Sequence, residues 1–334
     1  MLLKIILLSL FACSAYALPA ALREGNTRFL ARSLGSACYT MDSVQRGLPC
    51  NPAAAAKEKK ARFDGDIFLG SNVEYLKEAE SLLSDQATPE ALASFLSRRE
   101  TVEGELSIEA SFQASTWGIS FEPYRLVAVT TFTNPSLPMI DLVIAEEQSV
   151  KAQIASYVHD NFYAGVQARY THVKFLGQYF SIAEAFSAQS DETFATETQE
   201  LLYLEPGLLF SWEEKPWQPQ ISAVLAQWGV TSRKTEEYPI QPEGLLGASI
   251  KPLVPLGLLE LGVQLQINSE TENARDAFRL GLAYHLGILQ TVFSASENDH
   301  TAAFLLTLEQ CTTGLSYWTQ GSDRGVFVQL GVTL

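Results

Sequence analysis

The chain has 334 residues and a formal net charge of −15, with 47% hydrophobic and only 18% charged residues. The acidic balance argues against a nucleic-acid-binding protein, because phosphate contacts need clustered Lys and Arg, and it disfavours charge-driven adhesion to anionic lipid. The charged fraction is low for a soluble protein.

The N-terminus has the parts of an export signal. A basic start is followed by an apolar run, Ile5–Ala12, that is too short to span a bilayer, and Ala15-Tyr16-Ala17 fits the A-x-A cleavage pattern. We therefore expect a signal peptide over residues 1–17 and a mature chain that begins at Leu18. A lipoprotein acylated at Cys13 is the weaker alternative, because a bulky residue stands where a small one is usual.

Residues 18–60 are rich in Ala and small residues and show no strand alternation. Two interpretations are open, a flexible periplasmic tail or a plug folded inside a lumen. Cys38 and Cys50 could form a loop-closing disulfide in an oxidising periplasm, or remain two free buried thiols. Asn51 should cap a turn, with Pro52 at the first helical position of a short helix.

From residue 61 onward, apolar and polar residues alternate along segments of ten residues or more, as membrane-spanning strands require. A soluble sandwich also alternates, but its strands average nearer six residues. We predict about 14 antiparallel strands closed into a barrel over residues 61–334. They are Ala61–Ser71, Val102–Ser115, Trp117–Thr133, Met139–Tyr157, Asn161–His172, Glu200–Trp212, Trp217–Val230, Gly244–Leu253, Leu256–Asn268, Ala274–His285, Gly287–Ala295, Thr301–Gln310, Thr312–Thr319 and Arg324–Leu334.

The connections alternate in length. Those after odd-numbered strands are long or medium, and those after even-numbered strands are very short. Outer-membrane barrels have short periplasmic turns and longer extracellular loops, so we expect a bacterial outer-membrane location with the N-terminus and short turns in the periplasm. The first long loop has helical periodicity over residues 73–99 and should lie on the extracellular side. It could be a cap packed on the barrel mouth or an apolar landing site for a ligand.

The N-terminal motifs resemble a known family. Leu30-Ala31-Arg32-Ser33-Leu34-Gly35, Cys38-Tyr39-Thr40 and Asn51-Pro52-Ala53 are similar to the N-terminal signature of the FadL/PorV/TraF-like outer-membrane barrel superfamily. The resemblance implies a fourteen-stranded barrel with an N-terminal hatch, in which Arg32, Gly35, Asn51 and Pro52 are hatch-motif residues. The chain departs from the signature at Ala54, where the family has glycine, and in the segment Ser36-Ala37-Cys38, where the family is glycine-rich.

Strand alternation places a set of charged residues toward the lumen, and these are the candidate residues of a ligand path. They are Glu105, Glu109, Glu122, Arg169, Lys251, Glu260, Arg279 and Glu309. They could equally be a satisfied ion-pair network that fills the interior, because buried charges must be paired. Cys311 shares the lipid-facing alternation and should be a buried free thiol.

We expect no enzyme, no cofactor and no metal site, because none of the four His residues lies in a nucleophile motif and no metal-spaced cluster exists. The resemblance implies uptake of hydrophobic or amphipathic small molecules across the outer membrane. The alternative is a non-transporting barrel that scaffolds a protein partner. The expected partners are outer-membrane lipid, with a hydrophobic small-molecule ligand or a membrane protein as the functional partner, and no nucleic acid.

Overall fold

The computed structural model describes residues 29–42, 46–70, 76, 79–80, 82–83, 102–133, 139–181, 196–229, 242–268, 271, 277–297, 299–320 and 323–334. The expected signal peptide at residues 1–17 lies outside the described residues. No helix in the described part of the chain is long and apolar enough to cross a membrane.

Antiparallel β-strands make up most of the described chain. They are β1 (Arg62–Leu69), β2 (Val102–Gln113), β3 (Trp117–Thr133), β4 (Met139–His159), β5 (Phe162–Ser181), β6 (Glu197–Ser211), β7 (Gln220–Ala226), β8 (Trp228–Gly229), β9 (Glu243–Ile250), β10 (Leu258–Ile267), β11 (Phe278–Leu286), β12 (Leu289–Ala295), β13 (Asp299–Leu308), β14 (Cys311–Gln320) and β15 (Asp323–Thr333). Before them lie helix α1 (Phe29–Leu34) and two 3-10 helices, η1 (Gly35–Tyr39) and η2 (Pro52–Lys57).

The strands close into a ring, which confirms the predicted fold class. Apart from β8, each strand pairs with the next along the chain, so that β7 pairs directly with β9, and β15 pairs with β1. Fourteen of the strands described therefore form the barrel, and the two-residue β8 adds a short pairing to β6. Each of these fourteen strands has a partner strand on both sides, so the ring has no edge strand, which is the condition for a β-structure in a bilayer.

The two barrel ends differ in their connections. We call the end where β1 begins and β15 finishes the turn end, and the opposite end the loop end. Several turn-end connections are as short as residues 114–116 and 287–288, whereas the loop end carries the long connections 70–101, 182–196 and 230–242. The three longest connections therefore share one end, as the sequence predicts, but the alternation is incomplete: the turn end also has connections over residues 212–219 and 251–257, and the loop end has short ones at 296–298 and 321–322.

The outer surface is apolar, as a lipid-facing barrel requires. Large hydrophobic side chains at alternate positions of every strand from β9 to β15 point away from the interior and are exposed, while their strand neighbours are buried. Members of this outward set are Leu246, Leu265, Phe278, Leu280, Phe293, Phe304, Leu315, Tyr317, Val328 and Leu330. A surface of this kind is stable only against hydrocarbon, so the barrel is of the outer-membrane type.

A β-bulge in β3 changes which residues face inward. The register against β4 shifts between Glu122 and Arg125, and Pro123 lies inside the bulge. Glu122 and Arg125 are both buried on the inward face although they are an odd number of positions apart. Strict alternation continued through β3 therefore gives the wrong face after Pro123.

The first long loop packs on the barrel's outer surface where it is described. Leu76, Ala79, Leu82 and Leu83 are helical and buried against Leu126, Leu142, Ile144 and Leu176. These strand residues have outward-facing positions near the loop end, and the ammonium of Lys174 donates to the Leu83 carbonyl at 2.5 Å. The described helical residues are thus packed beside the wall and not on the barrel mouth, which was one of the two interpretations that the sequence left open. The rest of residues 73–99 lies outside the described residues.

Candidate functional site: the barrel interior

The N-terminal residues 29–42 and 46–57, here called the interior segment, lie inside the barrel. Helix α1 contacts β12 to β15, η1 contacts β9 to β11, and η2 contacts β3 to β6. Phe29, Leu34 and Met41 are almost completely buried and pack against the inward-facing Trp318 and Phe327. The segment therefore meets inward faces all around the ring, which a tail in the periplasm could not do.

Asn51 and Pro52, two residues of the predicted hatch motif, lie directly against two glycines of the barrel wall. The Asn51 side chain accepts from the Ala53 N–H at 3.0 Å and donates to the Leu208 carbonyl at 3.1 Å, so it caps η2 and ties it to β6. A Cβ added at Gly165 would lie 2.6 Å from the Pro52 carbonyl carbon, and one at Gly207 would lie 2.9 Å from Pro52 Cδ. The capped turn expected from the sequence is present and approaches the wall too closely for any side chain there.

The predicted disulfide joins the two halves of the interior segment. Cys38 of η1 and Cys50, just before η2, are bonded, with their Cα atoms 5.9 Å apart. Cys311 is a free thiol on the outward face at the turn end and is exposed on the protein surface, so the expectation that it is buried is wrong. Cys311 faces outward like Leu315, as expected. Because Cys311 is the first residue of β14, few neighbouring side chains cover it.

One of the candidate lumen charges, Glu105, belongs to a series of ion pairs. Arg32 of α1 is 3.2 Å from one Glu105 oxygen, and Arg125 Nε is 2.9 Å from the other. Arg125 Nη1 then reaches Glu147 at 2.7 Å. The four side chains are nearly inaccessible to water. This series of ion pairs connects Arg32, a residue of the predicted hatch motif, to strands β2, β3 and β4. Glu109 and Glu122 are buried on the same wall, where Ser149 donates to Glu122 at 3.0 Å.

Arg169 is the centre of a second charged group on β5 and β6. Its guanidinium stacks 4.3 Å above the Tyr203 ring and lies 3.6 Å from Glu205. Glu205 also accepts from the Gln167 amide at 2.6 Å and from the Gln227 backbone N–H at 3.2 Å. Gln227 has a left-handed φ of 57° and separates β7 from β8 along the chain. Glu205 therefore satisfies a wall N–H that the strand ladder leaves open.

On one side of the turn end, ion pairs of Asp42 connect the interior segment to the barrel wall. Its carboxylate is bridged by Lys57 at 2.5 Å and by Lys251, and Lys57 also donates to Ser211 at 2.9 Å. Burial opposes ionisation of Asp42, but the two ammonium groups outweigh burial and hold its pKa below the ordinary value. Lys251 lies one residue past the end of β9, because Pro252 has no N–H to continue the strand. We call this group the Asp42 latch.

The opposite side of the turn end holds the backbone of Gly47. The Gly47 N–H donates to Asp64 at 2.7 Å, and Arg62 donates to the Gly47 carbonyl at 2.8 Å. The neighbouring Arg46 donates to Thr307 at 2.6 Å and to Thr333 at 3.0 Å. With the Asp42 latch, these bonds hold the interior segment at two separated sectors of the wall.

The remaining candidate residues are scattered. Glu260 is buried and accepts from the Asp42 N–H and from Ser249, each at 3.2 Å. Arg279 pairs with Asp299 at 2.9 Å on the inward face. Glu309 is not in the lumen: it is exposed in the turn between β13 and β14 with a φ of 53°, because β13 ends at Leu308, two residues earlier than predicted.

Sequence analysis missed several inward-facing charges, among them Arg125, Glu147, Lys151, Glu205 and Asp64. Arg125 was missed because the bulge at Pro123 reverses the alternation that precedes it. A proline within a long predicted strand is itself a signal for such a bulge, so the sequence did contain a warning at this position.

The inward wall becomes apolar toward the loop end. Val127, Val129, Ala145, Val173 and Phe175 are buried together on the inward faces of β3, β4 and β5. Val127 pairs directly with Ala145, and Ala145 with Phe175, so the cluster crosses three strands without a charge. We call it the inner apolar patch. It lies on the loop side of Arg125, Glu147 and Arg169.

Comparisons with known proteins concern the fold only. No protein-family model matches the sequence, and no curated protein matches it. Among solved structures, the monoaromatic hydrocarbon channel CymD aligns over 91% of this chain and 95% of its own, with 7% identity and a TM-score of 0.49. CdiB from Escherichia coli aligns over 81% of this chain with 9% identity and a TM-score of 0.38, and this chain spans 63% of its length. The β-domain of the Bordetella autotransporter BrkA aligns over 82% of this chain and 99% of its own, with 10% identity and a TM-score of 0.36.

Proposed function

We propose that this barrel takes up hydrophobic or amphipathic small molecules across the bacterial outer membrane. The observation that carries the proposal is the inner apolar patch. Porin lumens are polar and water-filled, whereas here Val127, Val129, Ala145, Val173 and Phe175 line the inward face without a polar group among them. The five side chains are at most 6% exposed, and an apolar compound that came into contact with them would gain free energy because it leaves water.

We also propose that the chain is a member of the FadL/PorV/TraF-like superfamily and that its interior segment is the hatch. Support comes from the seat of Asn51-Pro52 on Gly165 and Gly207, and from the ion pair between Arg32 and Glu105. Both involve residues of the N-terminal motif. In this proposal the loop end faces the cell exterior, the patch receives the compound, and the interior segment separates it from the periplasm.

Uptake by cells tests this function. A strain that lacks the gene is complemented with the wild type, with Phe175→Ala in the patch, or with Phe121→Ala on the outward face, and uptake of radiolabelled long-chain fatty acids and aromatic compounds is measured. Phe121 is a matched control because it is 52% exposed, outside the lumen. We expect deletion and Phe175→Ala to lower uptake of at least one compound and Phe121→Ala to leave it unchanged. Equal uptake in all strains for every compound would reject the proposal.

A second candidate function is that of a non-transporting scaffold for a protein partner. This function is favoured by the many contacts that hold the interior segment in place. The segment contacts strands around the ring, contains a disulfide bond and is bound at two sectors of the turn end. Affinity isolation from a detergent extract tests it. A stoichiometric partner, with uptake unaffected by deletion, would favour the scaffold over the transporter.

A further inference from the structure

The turns at the turn end are of two kinds. Those after β4, β6 and β13 carry charged residues, such as Asp160, Glu213 and Glu309. The connection from β9 to β10 has the sequence Pro-Leu-Val-Pro-Leu-Gly over residues 252–257, and the β11–β12 turn is Gly287-Ile288. One sector of the rim, from β9 to β12, therefore has two neighbouring turns whose only charged residue is Lys251, which is paired with Asp42 of the interior segment.

This sector exposes large apolar side chains to an unusual degree. Leu253 is 88% exposed, Leu256 68%, Trp217 58% and Ile288 57%. Trp217 belongs to the charged β6–β7 connection, but it lies beside this sector, because its carbonyl accepts from the Lys251 N–H at 2.6 Å. Apolar groups concentrated at one place on a protein surface indicate a contact with another apolar phase or partner.

The connection between β9 and β10 is hydrogen-bonded to the outer side of the barrel wall. The Tyr284 hydroxyl donates to the Leu256 carbonyl at 2.6 Å, and Tyr284 lies in the outward-facing row of β11 with Phe278, Leu280 and Leu282. The turn backbone thus meets the lipid side of the barrel and is not folded over the opening. The outward row of β10, which includes Leu259 and Leu261, continues directly from it.

We propose that residues 252–256, together with Trp217 and Ile288, form a membrane-inserted rim, whose occupant is the phospholipid leaflet at the turn end. The apolar sector is continuous with the lipid-facing surface of β10 and β11, because the Leu256 carbonyl is bound by Tyr284 of the outward row of β11 and Leu259 begins the outward row of β10. Trp217 and Tyr284 are the residue types that anchor barrels at the lipid–water interface. The charged turns on the other side of the rim, such as that of Asp160, remain in water.

Site-directed spin labelling tests the membrane-inserted rim. In the full chain with Cys13 and Cys311 replaced by serine, a nitroxide is attached at Leu253→Cys, and the protein is reconstituted into vesicles of phosphatidylethanolamine and phosphatidylglycerol without any other protein. Collision of the nitroxide with oxygen, which enters lipid, is compared with collision with a water-soluble nickel chelate. Leu253 is so exposed that its replacement removes no core contact.

Two controls set the scale. Phe304→Cys labels the outward face in mid-strand of β13, and Asp160→Cys labels a charged turn at the same end, where the side chain is 82% exposed. We expect the oxygen-to-nickel ratio at Leu253 to lie near that at Phe304 and above that at Asp160, with the same result at Leu256→Cys. A ratio at both leucines equal to that at Asp160 would overturn the proposal and indicate a protein partner for this sector instead.

Discussion

Charged residues inside the barrel are stabilised by mutual pairing. Glu105 is completely buried, and its two oxygens are bound by different arginines, Arg32 and Arg125. A buried charge pair contributes little compared with an apolar pair of the same size, but loss of one member leaves an uncompensated charge in a medium of low polarity.

The first prediction concerns Glu105→Gln, which keeps the volume and removes the charge that Arg32 and Arg125 share. We expect the free energy of unfolding to fall by about 3 kcal/mol, because the buried negative charge that Arg32 and Arg125 share is lost, although Arg125 keeps its ion pair with Glu147. Denaturant unfolding of the refolded protein in detergent measures it.

The control for this prediction is Glu213→Gln. Glu213 also forms an ion pair, with Lys57 at 3.3 Å, but its side chain is 49% exposed. An exposed pair contributes at most about 1 kcal/mol. Equal losses for the two variants would show that the interior is hydrated and that the Arg32–Glu105–Arg125 chain is not the fastening described above.

Gly35 provides a second prediction at the residue scale. It has a φ of 56°, and a Cβ there would lie 2.7 Å from Nη1 of Arg279. We expect Gly35→Ala to destabilise the protein by about 1–3 kcal/mol from backbone strain, with a further loss because Arg279 must move away from Asp299. Gly287→Ala is the matched control, since Gly287 has a φ of 59° and nothing within 4 Å of the added Cβ. A Gly35→Ala loss no larger than that of Gly287→Ala would contradict the steric part of the prediction.

The stability of the interior segment inside the barrel depends on pH through the Asp42 latch. The pKa of Asp42 is below its ordinary value in the folded protein. The latch is therefore fully stabilising above the unfolded-state pKa of an aspartate, about 3.9, and its contribution is lost as the pH falls through the lower folded value.

The corresponding experiment compares unfolding midpoints of the wild type and Asp42→Asn between about pH 6 and pH 2. We expect Asp42→Asn to be less stable than the wild type near neutral pH and the difference to shrink in acid. Asp160→Asn, at an exposed carboxylate, should follow the wild-type profile throughout. If the unfolding midpoints of Asp42→Asn and the wild type differed by the same amount at every pH, the Asp42 latch would not have the pH dependence predicted here.

Whole-molecule orientation is the remaining prediction. We expect the turn end in the periplasm and the loop end outside the cell, because short turns are periplasmic in outer-membrane barrels. Glu297 lies in the β12–β13 connection at the loop end, and Asp160 in the β4–β5 turn at the other. In intact cells, a membrane-impermeant maleimide should label Glu297→Cys and not Asp160→Cys, each in the Cys311→Ser background. Labelling of Asp160→Cys alone would reverse the orientation.

The sequence by itself determined the barrel, the number of strands in its ring and the parity of most strands. Ten-residue alternation is a local property, since each outward Leu or Phe needs lipid and each inward neighbour needs a polar or small environment. The same holds for the Asn51-Pro52 turn, whose cap involves residues two apart, and for Glu105, Glu109, Glu122 and Glu260, which are buried on the inward side.

Only the tertiary structure decided which charges meet. Arg32 reaches Glu105, and Lys251 reaches Asp42, across long separations in sequence that no local pattern encodes. The bulge at Pro123 set the inward face of Arg125, and the early end of β13 moved Glu309 into a turn. The physical reason is that strand alternation fixes the face of a residue, whereas ring closure and the position of the interior segment fix its partner.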